Sequence, residues 1–291
     1  MSLVARLDQY YPRARSVAPY QAARKQAFQR RQVAPSTSVL VSALQDPQAE
    51  FDVQVMAATA ASGYVPQEIG AVLNRPETSG YAPCLRVGDL IFVAGQLARD
   101  ASGRLAVHGT AAETDYIFRE RLGSALEAAG SGPDLVLKAQ AYLTRGEDLA
   151  AFHRHWEKLF AGHVAPTLVV GLRHPAFLTP EATVEINVIA AHRSARGRIR
   201  EIESEVAGRM LDGLIFTGGI GGNDMEEIMQ TARRVLAAAG ADLSNVVRGL
   251  VFHAGAEDLS KVGFPFTAVE VQGGLTVDLW GYAPQGYAPQ P

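Results

Sequence analysis

The sequence predicts an α+β chain made of repeated units, each a mixed β-sheet covered on one face by two helices. Three observations predict it. Residues Gly130–Leu149 run parallel to Gly240–Leu259 without a gap at an offset of 110 residues, pairing Val136 with Val246, Tyr142 with Phe252 and Asp148 with Asp258. The strand-like run Asp89–Gln96 is answered by Gly213–Ile220. A partial third copy stands at the N-terminus, where Val4–Tyr11, Pro35–Val41 and Phe51–Ala58 echo Val136–Leu143, Pro166–Leu172 and Val184–Ala191. Self-similarity of this kind marks a chain built by repeating one supersecondary unit. It divides the chain into the back half of a unit (1–62), a linker (63–79), a complete unit (80–192), a second linker (193–207), a unit lacking most of its second helix (208–284) and a tail (285–291).

The elements of the complete unit follow from periodicity. Leu90–Val93 is a short apolar run before Gly95, which suits a buried strand. Tyr116, Ile117, Leu122, Ala125, Leu126 and Ala129 approximate helical spacing, with Gly130 as the C-cap. Leu135–Leu143 is a strand. Asp148–Phe160 reads as a second helix with Leu149, Phe152, Trp156 and Phe160 on one stripe. Thr167–Leu172 and Thr183–Ala190 close the unit as strands. In the last unit Asp224 and Glu227 form a capping-box-like helix start. Ser194–Glu205 alternates arginine and glutamate and reads as a solvated helix or connector.

Composition narrows the function classes. The chain has 291 residues, 47% hydrophobic and 20% charged, with a net charge of −3. That balance lacks the positive field of a nucleic-acid binder. The single cysteine, Cys84, excludes an intrachain disulfide and fits a reducing, cytoplasmic compartment. Arg6 and Asp8 interrupt the apolar N-terminal stretch, unlike a signal peptide. No apolar run approaches the ~20 residues of a membrane helix.

Ser79–Pro83 followed by Val87–Gln96, then Leu126–Gly130 with Val136–Leu143, then Val184–Ala190 as a closing strand, resemble in order and spacing a unit of the RidA/YjgF family, whose fold is chorismate mutase-like. The resemblance implies tandem units in a trimer-like ring with small-molecule pockets between neighbours. It also implies hydrolysis of imines or enamines without a cofactor. The family's substrate-binding arginine falls two residues after the proline that opens the penultimate strand. Here those positions are Leu168, Thr37 and Thr267, after Pro166, Pro35 and Pro265. The closing-strand acid is retained as Glu185, with Asp52 and Asp278 assigned to the same place in the other units. Tyr81 and His153 take the family's other catalytic positions. Loss of a hydrogen bond to a charged group, roughly 1.5–3 kcal/mol, predicts carboxylate binding weakened roughly tenfold to a hundredfold.

Structural readings stand beside these. Glu185 can be a strand acid satisfied by backbone amides, and Tyr81 a packing ring. His153 and His155, two apart on a helix, face different ways and cannot chelate one metal. Cys84 reads as a small buried thiol. Gly218–Gly222 follows a strand as a phosphate loop would, but lacks the Walker lysine and the dinucleotide-binding spacing. Three functions remain: a RidA-like enzyme of altered specificity, using Glu185, Tyr81 and His153 for proton transfer; a non-catalytic binding or scaffold module; and a ribonuclease or translation inhibitor, which the acidic charge disfavours. The half unit at 1–62 leaves a sheet edge to cover, which predicts a homo-oligomer, a dimer or trimer-like ring.

Overall fold

The computed structural model describes residues 3–28, 34–69, 81–144, 149–160, 164, 166–172, 175–255 and 257–284. Its strands are β1 (Val4–Tyr11), β2 (Ser36–Leu40), β3 (Ala43–Leu44), β4 (Asp52–Ala57), β5 (Gln67–Glu68), β6 (Cys84–Val87), β7 (Leu90–Gln96), β8 (Val136–Leu143), β9 (Thr167–Val169), β10 (Val184–Ala191), β11 (Ile199–Ile202), β12 (Gly208–Leu211), β13 (Leu214–Thr217), β14 (Ile220–Gly221), β15 (Val246–His253), β16 (Phe266–Glu270) and β17 (Thr276–Tyr282). The helices are α1 (Val17–Ala27), α2 (Thr110–Tyr116), α3 (Gly123–Ala128), α4 (Leu149–Phe160) and α5 (Met225–Ala238). Three mixed sheets result, ordered β2-β1-β4, β5-β6-β7-β10-β8-β9 and β11-β12-β13-β17-β15-β16-β3, with β14 beside β17.

One pairing pattern recurs in all three sheets. A central strand (β1, β8 or β15) runs parallel to the strand that follows it (β2, β9 or β16) and antiparallel to the closing strand (β4, β10 or β17). Parallel neighbours need a crossover connection. Helices α1 and α4 lie in it in the first two sheets, and a three-residue 3-10 turn, Leu259–Lys261, in the third.

The helices sit where the apolar stripes dictate. Phe152, Trp156 and Phe160 of α4 are buried and pack with Phe118 on the face of the second sheet that carries Val184, Ile186 and Val188. Helix α5 starts at Asp224, which accepts the Glu227 N–H at 2.9 Å. The helix over 110–128 widens into a π turn at Ile117–Leu122. On their other faces the sheets meet through the central strands. The Phe252 ring lies edge-on to Tyr10 and to Tyr142, each centroid 6.2 Å away, and the two tyrosine hydroxyls are 3.1 Å apart.

Two segments read as linkers belong partly to sheets. Strand β11 lies inside 193–207 and pairs with β12, because the alternating arginines and glutamates are cross-strand partners: Arg209 Nη2 donates to Glu201 Oε1 at 2.7 Å. Strand β5, inside 63–79, pairs with β6. Residues 70–79, Asp148 and the tail 285–291 lie outside the described residues. No helix among the described residues is long and apolar enough to cross a membrane.

Candidate functional site

Alternation along β10 sends Val184, Ile186 and Val188 to the helices, and so turns Glu185 and Asn187 the other way, toward the first sheet. There β2 packs against β7, and Thr37 of β2 accepts hydrogen bonds from Asn187 Nδ2 at 3.0 Å and Arg6 Nη2 at 3.4 Å. Glu185 stands in the same place. A Cβ added to Gly95 would lie 1.8 Å from Glu185 Oε1 and 3.1 Å from Thr37 Oγ1, so only glycine leaves space for the carboxyl. A register shift between β7 and β10 at this level opens the backbone around it.

The Glu185 side chain is 5% exposed, and among the described residues no hydrogen bond to its carboxyl is found. Burial pushes its pKa up to about 8, with Asp8 adding to the rise and Arg99 and Arg6 opposing it. Glu113, also buried, shows what a structural acid looks like here. It accepts from the backbone of Thr183 and Gly109 and from the Thr183 hydroxyl, at 2.9–3.1 Å.

Tyr81 is half-buried at the same junction, packed with Leu7, Ala34 and Phe28 of the first sheet's segment. Arg121 lies close enough to Tyr81 and Tyr116 to act on them electrostatically and donates from Nε to Gln96 Oε1 at 3.3 Å. Arg99 donates from Nε to Thr179 Oγ1 at 2.5 Å and is the first cation acting on Glu185. Sequence reasoning missed Arg99, Arg121 and Asn187. Their one available signal was position, since Arg99 follows directly on the strand that supplies Gly95 and Gln96.

The other assigned residues separate. Asp52 meets Thr267 between the first and third sheets, the Thr267 hydroxyl donating to Oδ1 at 3.3 Å, and burial raises the pKa of Asp52. Leu168 and Asp278 do not hold the places assigned to them. Thr167 pairs with Gln140, as Thr37 pairs with Asp8 and Thr267 with Leu250, so Thr167 takes the sheet position and Leu168 turns into the helix-side core. Asp278 pairs with Leu250, at the level of Asn187 opposite Gln140, while the residue level with Glu185 is Thr276, opposite Phe252. Gly219 repeats the role of Gly95 there: a Cβ on it would meet Thr276 Cγ2 at 3.0 Å and Thr167 Cα at 3.2 Å. Asp278 is buried in an ion pair with Lys138.

His153 is also misplaced. It lies on the exposed face of α4, edge-on to Phe152, while Glu185 is on the opposite face of the sheet that α4 covers. Cys84 is buried, and burial pushes its thiol up to about 12. Among the described residues no three His, Cys, Asp or Glu side chains converge as metal ligands. A separate cleft of about 760 Å³ runs between β4, the β6–β7 hairpin and the β12–β13 hairpin, walled by Met56, Phe92, Phe216 and Trp280, with the Arg248 guanidinium 4.6 Å above the Trp280 ring.

Gly95→Ala is expected to force the Glu185 carboxyl out of its place and to destabilise the fold by ~1–3 kcal/mol through overpacking. Gly219→Ala, which meets a methyl group at 3.0 Å, should cost less. Urea denaturation of the two variants checks the difference, and equal losses would contradict it.

The family model described as Endoribonuclease L-PSP matches residues 72–192. Among solved structures, a protein of unknown function from Pseudomonas aeruginosa is 27% identical over 45% of this chain and 94% of its own, with a TM-score of 0.39. RidA from an Antarctic Psychrobacter is 24% identical over 43% of this chain and 98% of its own, TM-score 0.38. A member of the YjgF family from Mycobacterium tuberculosis is 22% identical over 44% of this chain and 99% of its own, TM-score 0.37. No curated protein matches the chain.

Proposed function

We propose, from the premise that the chain belongs through residues 72–192 to the endoribonuclease L-PSP (RidA/YjgF) family, that it is a small-molecule enzyme of altered specificity acting on an imine, enamine or related carbonyl compound without a cofactor. The observation that carries this is Glu185: a buried acid with no hydrogen bond to its carboxyl, protonated at neutral pH, at a junction of two sheets. Structural buried acids are paired or capped, and an unpaired one with a shifted pKa marks a functional site.

The chemistry needs little more. Glu185 donates its proton to the imine nitrogen as water adds to the carbon, and the carboxylate then accepts a proton from the added water. The carbinolamine so formed collapses to a carbonyl, breaking the C–N bond and releasing ammonia. Water is the only co-reactant. The three sheets are read as tandem units of one fold, shortened at 1–62 and 208–284, whose junctions stand for the pockets between subunits. Of these junctions the one holding Glu185, Thr37 and Tyr81 is assigned the reaction, because Thr276 replaces the acid in the second. Homo-oligomerisation through the open edge of β4, where Val55 is 57% exposed, belongs to the same reading.

A non-catalytic binding module is the second reading, favoured by the 760 Å³ cleft, whose walls carry apolar rings and one stacked guanidinium. Ammonia release from imines generated in situ by an amino-acid oxidase separates the two. Turnover by wild type, reduced 10²-fold or more in Glu185→Gln, is the expected result for the enzyme. Equal rates in the two proteins would remove Glu185 from the reaction.

A further inference from the structure

Within the acid–base reading of Glu185, one question is what holds the ligand in place, since Thr37 stands on the β2 side of the site. The β2 side offers no spare cation. Arg6, the nearest, commits Nε to both oxygens of Asp8 at 3.0 Å and Nη2 to Thr37. The β7 side differs. Arg99 is half-buried just beyond β7, only its Nε is engaged, with the neutral Thr179 hydroxyl, and among the described residues it makes no ion pair. Arg121 reaches the same end of the sheet from the π turn, bonded to the neutral Gln96 beside Gly95. The geometry points to Arg99, supported by Arg121, as the anchor for a carboxylate on the ligand, placed on the β7 side of Glu185 and not on β2.

The electrostatics agree with the placement. Arg121 and Arg99 lie close enough for each to oppose the other's charge. Two guanidinium groups held together with neutral partners favour an anion between or beside them, and a planar fork binds a carboxylate through two hydrogen bonds. A protonated Glu185 leaves the positive charge of the pair uncancelled. The anion-binding function is thus carried by the same sheet that carries the acid, so one rigid element sets the distance between anchor and proton donor.

The test is calorimetric titration of the full chain with 2-oxobutyrate and with its neutral amide, 2-oxobutanamide. Wild type is expected to bind the acid at least tenfold more tightly than the amide. Arg99→Gln should weaken binding of the acid roughly tenfold to a hundredfold and erase the preference, while leaving the amide unchanged. Arg99→Lys should retain part of it, and Arg121→Gln should show a smaller loss. Equal binding of the two probes by wild type, binding of neither at millimolar concentration, or an unchanged preference in Arg99→Gln each overturns the assignment. The underlying reading is judged separately. Ammonia release abolished in Glu185→Gln alongside a preference that survives Arg99→Gln keeps the acid and removes the anchor. A preference lost in Arg99→Gln alongside a fully active Glu185→Gln does the reverse.

Discussion

Lys138→Met is expected to destabilise the protein by about 3–5 kcal/mol, the range for removing one partner of a buried ion pair. Lys138 and Asp278 are 2% and 1% exposed, on the central strand of the second sheet and the closing strand of the third. Lys138 Nζ also donates to the Thr217 carbonyl at 2.7 Å, and Gln140 Nε2 donates to the second Asp278 oxygen at 2.5 Å. Burial lowers the lysine pKa while Asp278 pulls it back, so the ammonium depends on its partner. The single variant leaves the aspartate charged in a site that water does not reach. Lys138→Met with Asp278→Leu removes both charges and should recover most of the loss, with only the Gln140 amide left short of an acceptor. Urea denaturation of the single and double variants at pH 7 measures both. A double variant as unstable as the single would show that packing, not charge, holds this junction.

The second large effect is a pH dependence. The folded Glu185 carboxyl titrates at about 8, against an ordinary value of 4.5. Below about pH 4.5 it is protonated whether the chain is folded or unfolded and contributes no difference. Between about 4.5 and about 8 the unfolded chain has released a proton that the folded chain keeps, so stability falls as pH rises; above that range the loss is complete. At about 1.4 kcal/mol per pH unit the whole span amounts to about 5 kcal/mol. Glu185→Gln lacks this titration. Its stability relative to wild type should therefore rise across the window and level off above about pH 8. Parallel stability curves for the two proteins from pH 5 to pH 9 would sink the idea, and would place the carboxylate in contact with a cation or with water.

Much of this arrangement is legible in the sequence, and the losses have physical causes. The 110-residue offset aligns Lys138 with Arg248, Gln140 with Leu250 and Tyr142 with Phe252, and those residues do occupy matching levels on matching strands. Central strands are buried on both faces, so their identities are strongly constrained. Closing and penultimate strands are less legible, because position depends on register, and one residue of slip exchanges the two faces. That slip separates Leu168 from Thr167. Two residues keep the face but change the level, which separates Asp278 from Thr276. His153 failed differently: its helix and stripe were readable, but nothing in a helical pattern tells which side of the sheet the chemistry lies on. Arg99 and Arg121 belong to a loop edge and a widened helix turn, where neither period nor repeat makes a prediction.

The ring cluster at the meeting of the three sheets bears on how the molecule can change. Two hydroxyls there satisfy each other, and the third ring, Phe252, has none to satisfy. Three identical rings around a symmetric axis would carry an odd hydroxyl with no complementary partner, and any repair would be copied three times over. One continuous chain is free of that constraint, since each substitution is made once. The same freedom lets Glu185 sit at one junction, Thr276 at the next and Asp52 at the third, so the junctions can diverge while the scaffold that holds them stays common.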